Sequence, residues 1–243
     1  MKETMIEATD IVKVLGDGAG RVEALKGINL SLAGGELTLL MGPSGSGKTT
    51  LLSILGCMLT PTAGSIRIRG RATTGLGSEQ LAELRRENVG FVFNSYHLFP
   101  TLTAAENVRL ALDVRGDGSP AARSKAEAAL ATVGLAHKAR SFPRELSGGE
   151  QQRVAIARAI VGDPSLVLAD EPTAALDSES GHTVMTLLAD IAKDPKRALF
   201  IVTHDPRIMP LADRVLRIED GRIVSDQQRG ESKRAVRALK LAS

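Results

Sequence analysis

Aromatic residues and cysteine are scarce in this sequence of 243 residues, which has no tryptophan, one tyrosine and one cysteine. The single cysteine, Cys57, excludes a disulfide within the chain and fits a reducing compartment. It lies in an apolar segment, 51–59, that we predict to be helical, so we expect it to fill the core. No apolar run approaches the roughly 18–20 residues of a membrane-spanning helix. Residues 1–10 carry acids and lack the apolar centre of a secretion signal, so none is expected.

The composition is otherwise that of an ordinary globular domain, with 43% hydrophobic and 24% charged residues. The length suffices for one large α/β domain with its own core. The net charge of +3 is mild, but basic residues cluster late in the sequence, at Arg229, Lys233, Arg234, Arg237 and Lys240. This cluster is either a solvated tail or a contact with anionic lipid or a membrane-surface partner. We expect no nucleic-acid partner, because no stacking aromatics accompany the charge.

The segment 42–50, GPSGSGKTT, has the spacing of a phosphate-binding loop. It follows an apolar strand predicted at 37–41 and precedes a helix predicted at 50–58, which is the context such a loop requires. The glycines allow several backbone N–H groups to point at one phosphate. Lys48 adds a charge toward the β- and γ-phosphates, and Thr49 adds a hydroxyl for Mg²⁺. We predict nucleotide binding by Gly42, Pro43, Ser44, Gly45, Ser46, Gly47, Lys48, Thr49 and Thr50.

Two further apolar strands end in polar residues. The strand predicted at 166–169 runs into Asp170 and Glu171, and the one at 199–203 runs into His204. In α/β proteins, active sites lie at the carboxyl ends of such strands. Asp170 would hold Mg²⁺, and Glu171 would act as general base toward an attacking water. The alternatives are an acidic cap on the next helix and a structural histidine.

The patterns along the chain predict an α/β fold: a P-loop (RecA-like) core, an N-terminal antiparallel β subdomain and an inserted α-helical subdomain. Alternating apolar residues predict strands at 28–32 and 65–69, and a hairpin is predicted at 216–224. Residues 102–140 are typical of helices, so we expect the helical subdomain at about 94–150. The expected domain spans 1–229, followed by the basic tail at 230–243.

The segment 146–153, LSGGEQQR, lies between the phosphate loop and the strand that ends in Asp-Glu. This order of three motifs resembles the ATP-binding cassette (ABC) ATPases over roughly residues 1–229. The resemblance implies that Lys48, Glu171 and His204 are catalytic, with His204 contacting the γ-phosphate. It also implies that Asp177 joins two nucleotide sites across a dimer. The γ-phosphate of ATP held by the opposite subunit would be bound by Ser147, Gly148, Gly149 and Glu150.

The same resemblance implies the assembly. Two identical cassettes would sandwich two ATP molecules, with Mg²⁺, and would power an integral-membrane permease in a separate chain. The subunit would be peripheral, on the cytoplasmic face of the inner membrane. The segments 22–27, 54–57 and 96–108 look like the macrolide-exporter and lipoprotein-releasing group, and 168–177 and 203–208 look like its glycolipid-exporter branch.

Two positions depart from the family pattern. Asn94 occupies the position where family members carry glutamine, and the resemblance implies that it binds nucleotide and Mg²⁺. Its side chain is one methylene shorter than that of glutamine, which puts the contact with the metal and the coupling to the permease in doubt. Residues 1–90 contain no aromatic to stack on adenine, and the stacking position falls near Leu15. We therefore predict weaker, less base-selective nucleotide binding, with Val14, Leu15 or Arg21 as substitutes.

Most of the few aromatics gather in the segment 91–99, which contains Phe91, Phe93, Tyr96 and Phe99. We interpret Phe91 or Phe93 as core, and Tyr96 and Phe99 as part of a groove for a helix of the permease. Two other functions stay open: a soluble ABC ATPase without a transport role, similar to the iron–sulfur-assembly member, and a nucleotide-gated binding module that hydrolyses little.

Overall fold

The computed structural model describes residues 2–229, so the expected basic tail at 230–243 lies outside the described residues. The strands are β1 Thr4–Leu15, β2 Val22–Ala33, β3 Glu36–Met41, β4 Ala63–Ile68, β5 Arg71–Ala72, β6 Val89–Val92, β7 Leu166–Asp170, β8 Ala198–Val202, β9 Arg214–Glu219 and β10 Arg222–Gln228. The α-helices are α1 Lys48–Leu55, α2 Ser78–Asn88, α3 Ala104–Val114, α4 Ala122–Thr132, α5 Gly148–Ile160 and α6 Ser178–Ala192.

The strands form two sheets. A six-stranded sheet has the order β10-β9-β3-β8-β7-β6, with parallel pairing from β9 to β6 and one antiparallel edge strand, β10. A four-stranded sheet of order β2-β1-β4-β5 is antiparallel throughout. The predicted fold class, with its P-loop core and antiparallel β subdomain, is confirmed.

The central strands of the parallel sheet are buried on both faces. All residues of β3 and β8 are buried, which explains why their sequences are almost continuously apolar rather than alternating. Because β3, β7 and β8 run parallel and adjacent, their carboxyl ends meet at one edge. The phosphate loop follows β3, Asp170 and Glu171 end β7, and His204 follows β8. The fold therefore brings the three predicted motifs together.

Helices α3, α4 and α5 pack on one another beside the sheet through buried residues such as Val108, Leu130 and Val154. Helix α3 begins at a capping box in which the Thr103 hydroxyl accepts from the Glu106 N–H and the Glu106 carboxylate accepts from the Thr103 N–H. Within residues 2–229, no helix is both long enough and apolar enough to cross a bilayer.

Two local predictions differ from the structure. The helix predicted at 50–58 begins at Lys48 and ends at Leu55, and Cys57 follows it with a φ of 55°. Cys57 is nevertheless buried in the core, as expected, and burial raises the pKa of its thiol to about 11. Strand β1 was not predicted, because register shifts along its pairing with β2 interrupt the alternation of apolar residues that marks a strand.

Candidate nucleotide-binding site

The loop between β3 and α1 has a backbone that only glycine can follow at two positions. Gly47 has a φ of 103°, and a Cβ there would lie 2.6 Å from the carbonyl oxygen of Ala24. A Cβ on Gly42 would lie 2.2 Å from the carbonyl oxygen of Ile218. Both approaches are too close for any other residue, so the curled loop depends on these two glycines.

Polar groups in this loop are arranged to receive an anion. The Lys48 ammonium donates to the carbonyl oxygens of Gly42 and Pro43, at 2.9 and 2.7 Å, and so spans the loop. The Ser46 hydroxyl is buried and has no hydrogen-bond partner among the described residues. The N-terminus of α1, at Lys48, adds free N–H groups and the positive end of the helix dipole. The site thus fits a phosphate group.

Asp170 and Thr49 face each other across the site, with the Thr49 hydroxyl 3.4 Å from Asp170 Oδ2. Burial raises the pKa of Asp170, the hydrogen bond from Thr49 opposes this rise, and the neighbouring Glu171 adds to it. A divalent cation would offset the burial of this carboxylate. Hydroxyl and carboxylate oxygens suit Mg²⁺, but residues 2–229 contain no cluster of three His, Cys, Asp or Glu side chains able to hold a metal. Phosphate oxygens and water would have to complete the coordination.

Glu171 is held in an unusual backbone conformation beside His204. Its φ is 48°, and its N–H donates to the Val202 carbonyl oxygen at 2.9 Å. Its Oε1 lies 2.8 Å from His204 Nδ1. A non-glycine residue with positive φ is uncommon, and it persists only where surrounding contacts offset its conformational cost. The contact orients both the carboxylate and the imidazole at the end of the sheet.

These groups line one open cavity of about 690 Å³. Most of the predicted loop residues line it, together with Asp170, Glu171 and His204. Leu15 also lines it, as its alignment with the stacking position suggested, but Val14 and Arg21 do not. Sequence reasoning missed Val22, Glu23, Ala24, Val202, Asp220 and Gly221.

The missed residues include the direct partner of Leu15. Leu15 and Val22 are paired in the register of β1 and β2, and both are exposed at the cavity rim, at 40% and 61%. Their exposure as large apolar side chains is visible only in the structure. The one sequence signal was the lack of an aromatic upstream of the phosphate loop, which pointed to Val14, Leu15 or Arg21 and gave no indication of Val22.

The segment 147–150 is not part of this cavity. Ser147 caps α5: its hydroxyl accepts from the Glu150 N–H at 3.2 Å, and Glu150 Oε2 accepts from the Ser147 N–H at 2.8 Å. The latter bond is the main cause of the lowered pKa of Glu150. Gly148 and Gly149 form the first turn of α5. The segment therefore offers a helix N-terminus away from the chain's own phosphate loop.

Asp177 and Asn94 also lie outside the cavity. Asp177 caps α6 by accepting from the N–H groups of Glu179 and Ser180, and the bonds from Ser180 are the first cause of its lowered pKa. Asn94 is exposed and accepts a hydrogen bond from the neighbouring Ser95 hydroxyl. The roles predicted for these two residues stay predictions.

A second surface, which we call the aromatic groove, is a cavity of about 700 Å³ lined by Phe91, Phe93, His97, Phe99, Val114 and Arg158, with neighbouring residues of α2 and α3. Phe91 and Phe93 stack with ring centroids 5.7 Å apart, and Phe99 is 51% exposed. The placement of Phe99 agrees with the groove prediction. Tyr96 was predicted to line the groove and does not, because its side chain turns toward Gly148 and Ala175 instead.

Comparison with known proteins assigns this architecture. The sequence profile described as "ABC transporter" matches residues 25–174. The chain belongs to the ABC transporter family. It is an ATP-binding cassette, as the order of motifs predicted.

Curated relatives include the macrolide export ATP-binding/permease protein MacB 1 of Aeromonas hydrophila, 44% identical over 94% of this chain and 35% of that protein. The pyoverdine export ATP-binding/permease protein PvdT of Pseudomonas entomophila is 45% identical over 93% of this chain and 35% of its own length. The chain thus spans about a third of these relatives. Similarity to macrolide exporters confirms the predicted group, and the glycolipid-exporter branch stays a prediction.

Solved structures agree with the fold. A dimeric post-hydrolysis state of the ATP-binding cassette MJ0796, bound to ADP and Pi, has a TM-score of 0.83 at 38% identity and covers 92% of this chain and 98% of that one. The cassette cbiO1 of Clostridium perfringens, part of the transporter complex cbiONQ, has a TM-score of 0.85 at 28% identity over 98% of this chain and 95% of that chain.

Proposed function

We propose that this cassette hydrolyses ATP with Mg²⁺ in a dimer of two copies and thereby drives a membrane permease. One observation carries the proposal. The cavity collects the phosphate loop, Asp170, Glu171 and His204, while the helix N-terminus at 147–150 opens elsewhere. In the proposed dimer, a second copy would bring its own segment 147–150 to this cavity and so complete the ATP-binding surface.

The residues of one copy suit hydrolysis as follows. Lys48, which spans the loop through Gly42 and Pro43, would release those carbonyls and bind phosphate oxygens. Glu171 would accept a proton from water as the water oxygen bonds to the γ-phosphorus and the bond to the β–γ bridging oxygen breaks. His204, in contact with Glu171, would hold the transferred phosphoryl group in place. Bound Mg²⁺, held by Thr49 and Asp170, would neutralise phosphate charge.

Dimerisation is supported by the nature of the surfaces. Ser147 and Asp177 both cap helices whose N-termini attract anions, and neither helix end lies in the cavity of its own chain. The related cassette MJ0796 is dimeric in its solved structures. We propose a homodimer, because every motif needed for both halves of a site is present in this chain.

A permease partner is supported by the aromatic groove. The groove lining is largely apolar and includes four arginines against a single acid, Glu79, so it fits an amphipathic helix with acidic flanks. The named relatives are ATP-binding/permease proteins that join both functions in one chain. We propose that this cassette contacts a permease at the cytoplasmic face of the inner membrane and that the permease is a separate chain.

The test uses the variant Glu171→Gln, which removes the general base and is expected to trap the ATP-bound dimer. Tagged protein is purified with ATP and Mg²⁺ from native membranes in mild detergent, and co-purifying proteins are identified. Glu127→Gln, an exposed substitution on α4, is the matched control and should hydrolyse ATP normally. A co-purifying permease in a separate chain supports the proposal.

The other outcomes separate the alternatives. ATP hydrolysis with only soluble partners would replace the transport proposal with a soluble ATPase. If the wild-type chain dimerises with ATP but does not hydrolyse it, the nucleotide-gated binding module is favoured. Asn94 and the lack of an aromatic residue in positions 1–90 are the sequence features that support this alternative. A permease domain encoded in the same polypeptide would overturn the separate-chain arrangement alone.

A further inference from the structure

The link between β6 and α3 contains two successive residues in the left-handed region. Tyr96 has a φ of 57° and His97 a φ of 47°. Neither is glycine, and such a pair persists only where surrounding contacts hold it. Within residues 2–229, the side chain that holds both of their carbonyl groups is that of Arg158, late in α5.

Arg158 donates to both carbonyl oxygens of this pair. Its Nη2 lies 2.7 Å from the Tyr96 oxygen, and its Nη1 donates to the His97 oxygen. Arg158 is half-buried, and this burial lowers the pKa of its guanidinium. The planar fork makes these two bonds from two different nitrogens in fixed orientation, whereas an ammonium group would have to reach both oxygens from a single nitrogen.

A second side chain of α5 also bonds to this segment. Gln152, which is fully buried and precedes Arg158 by less than two turns of α5, donates from Nε2 to the Phe93 carbonyl oxygen at 3.2 Å. Helix α5 thus holds the segment 93–97 at three carbonyl groups, through two side chains. The N-terminal end of the same helix is Ser147, the residue expected to meet the partner's ATP.

The two sides of the held segment face different surfaces. The His97 ring packs on Phe93 with centroids 4.9 Å apart, and both line the aromatic groove. The Tyr96 hydroxyl points the other way, 3.5 Å from the Ala175 carbonyl oxygen and 2.9 Å from where a Cβ on Gly148 would lie. Groove, α5 and the segment before Asp177 therefore meet at residues 96 and 97.

We propose that Arg158 is a positioning residue that couples the aromatic groove to the ATP-facing end of α5. Because it holds both left-handed carbonyls, the segment 93–97 and α5 move together when ATP closes the dimer. The proposal rests on the proposed function only in requiring ATP-driven closure, and it needs no identified permease.

The test reads the groove directly. Phe99→Cys places a thiol on the exposed groove side chain, and the single native cysteine is buried with a raised thiol pKa, so an environment-sensitive maleimide dye reacts at position 99. Glu171→Gln in the same chain retains ATP. The dye emission is recorded with and without MgATP, while gel filtration or light scattering follows dimerisation.

We expect MgATP to shift the dye emission of this parent, and Arg158→Lys to lose that shift while dimerising at the same ATP concentration. Arg153→Lys, on the same helix but bonded to the Val133 carbonyl group instead, is the matched control and should keep the shift. If Arg158 has only a structural role, Arg158→Lys should have a lower melting temperature, and its dimerisation and its dye shift should be retained or lost together. Arg158→Gln is the second variant if the lysine variant is unstable.

Each remaining outcome has one meaning. A full shift in Arg158→Lys, or no shift in a parent that dimerises, would overturn the coupling role and leave the proposed function intact. A parent that does not dimerise with MgATP would overturn the proposed dimer mechanism and the coupling role with it.

Discussion

Replacing Leu15 by tyrosine should tighten nucleotide binding. Leu15 and its strand partner Val22 form the apolar rim of the cavity, and residues 1–90 contain no aromatic side chain. Leu15 is 40% exposed, so a base that covered it fully would remove on the order of 70 Å² of apolar surface from water, at most about 2 kcal/mol. An aromatic ring stacked on the base adds about 1 kcal/mol.

The expected consequence is an approximately fivefold lower Kd for ATP in Leu15→Tyr, since 1 kcal/mol corresponds to about that factor. Leu15→Ala should weaken binding by up to roughly 20-fold, the limit set by full coverage of the leucine. An apolar rim contacts any base alike, whereas discrimination between bases requires polar groups at their edges. The wild-type chain should therefore bind ATP and GTP with similar affinity.

The assay is calorimetric titration with MgATP and MgGTP in the Glu171→Gln background, which prevents turnover. Val224→Tyr adds the same ring at another exposed apolar position, on β10 and away from the cavity, and should leave Kd unchanged. Unchanged affinity in Leu15→Tyr would refute the assignment of the rim to the base. A clear preference of the wild-type chain for ATP over GTP would refute the argument on selectivity.

Three further outcomes are expected. Glu171→Gln should lower kcat by roughly 100- to 10,000-fold with MgATP affinity retained, measured by phosphate release; near-normal turnover would remove Glu171 as the base. Asp170→Asn should raise the melting temperature of the nucleotide-free chain at neutral pH and abolish the Mg²⁺ dependence of ATP binding. Burial raises the pKa of Asp170 in the folded state above its value in the unfolded state, so the ionised carboxylate destabilises the fold at pH values above the folded-state pKa. The gain in melting temperature from Asp170→Asn should therefore shrink as the pH falls through that pKa. A difference in melting temperature that does not depend on pH would contradict this. Phe99→Ser should reduce permease co-purification and spare ATP binding, whereas Val224→Ser, exposed elsewhere, should change neither.

The coupling between the groove and the ATP site has a thermodynamic corollary. If ATP-driven closure alters the groove, an occupant of the groove must alter ATP affinity by the same factor. Arg158 would set this factor without touching either ligand, because it bonds to the two carbonyl groups where the surfaces meet. Arg158→Lys, which removes the forked geometry, should therefore weaken both the effect of ATP on the groove and the effect of a groove occupant on ATP affinity.

The sequence by itself determined the groups whose geometry is local. Lys48 and Thr49 sit where glycine spacing and the adjoining strand and helix place them, and Glu171 and His204 follow apolar strands. Short spacings of this kind specify local backbone, and parallel buried strands necessarily end at one edge.

Only the tertiary structure shows features that depend on contacts between residues distant in sequence. The pairing of Leu15 with Val22 needed β1, whose shifted register hides it from pattern analysis. Tyr96 does not line the groove because its side chain lies against Ala175 and Gly148, which are distant in sequence. Its left-handed backbone, whose carbonyl group accepts a hydrogen bond from Arg158, is likewise not indicated by the neighbouring residue types. Such contacts arise from packing between elements, and their energies appear only when those elements meet.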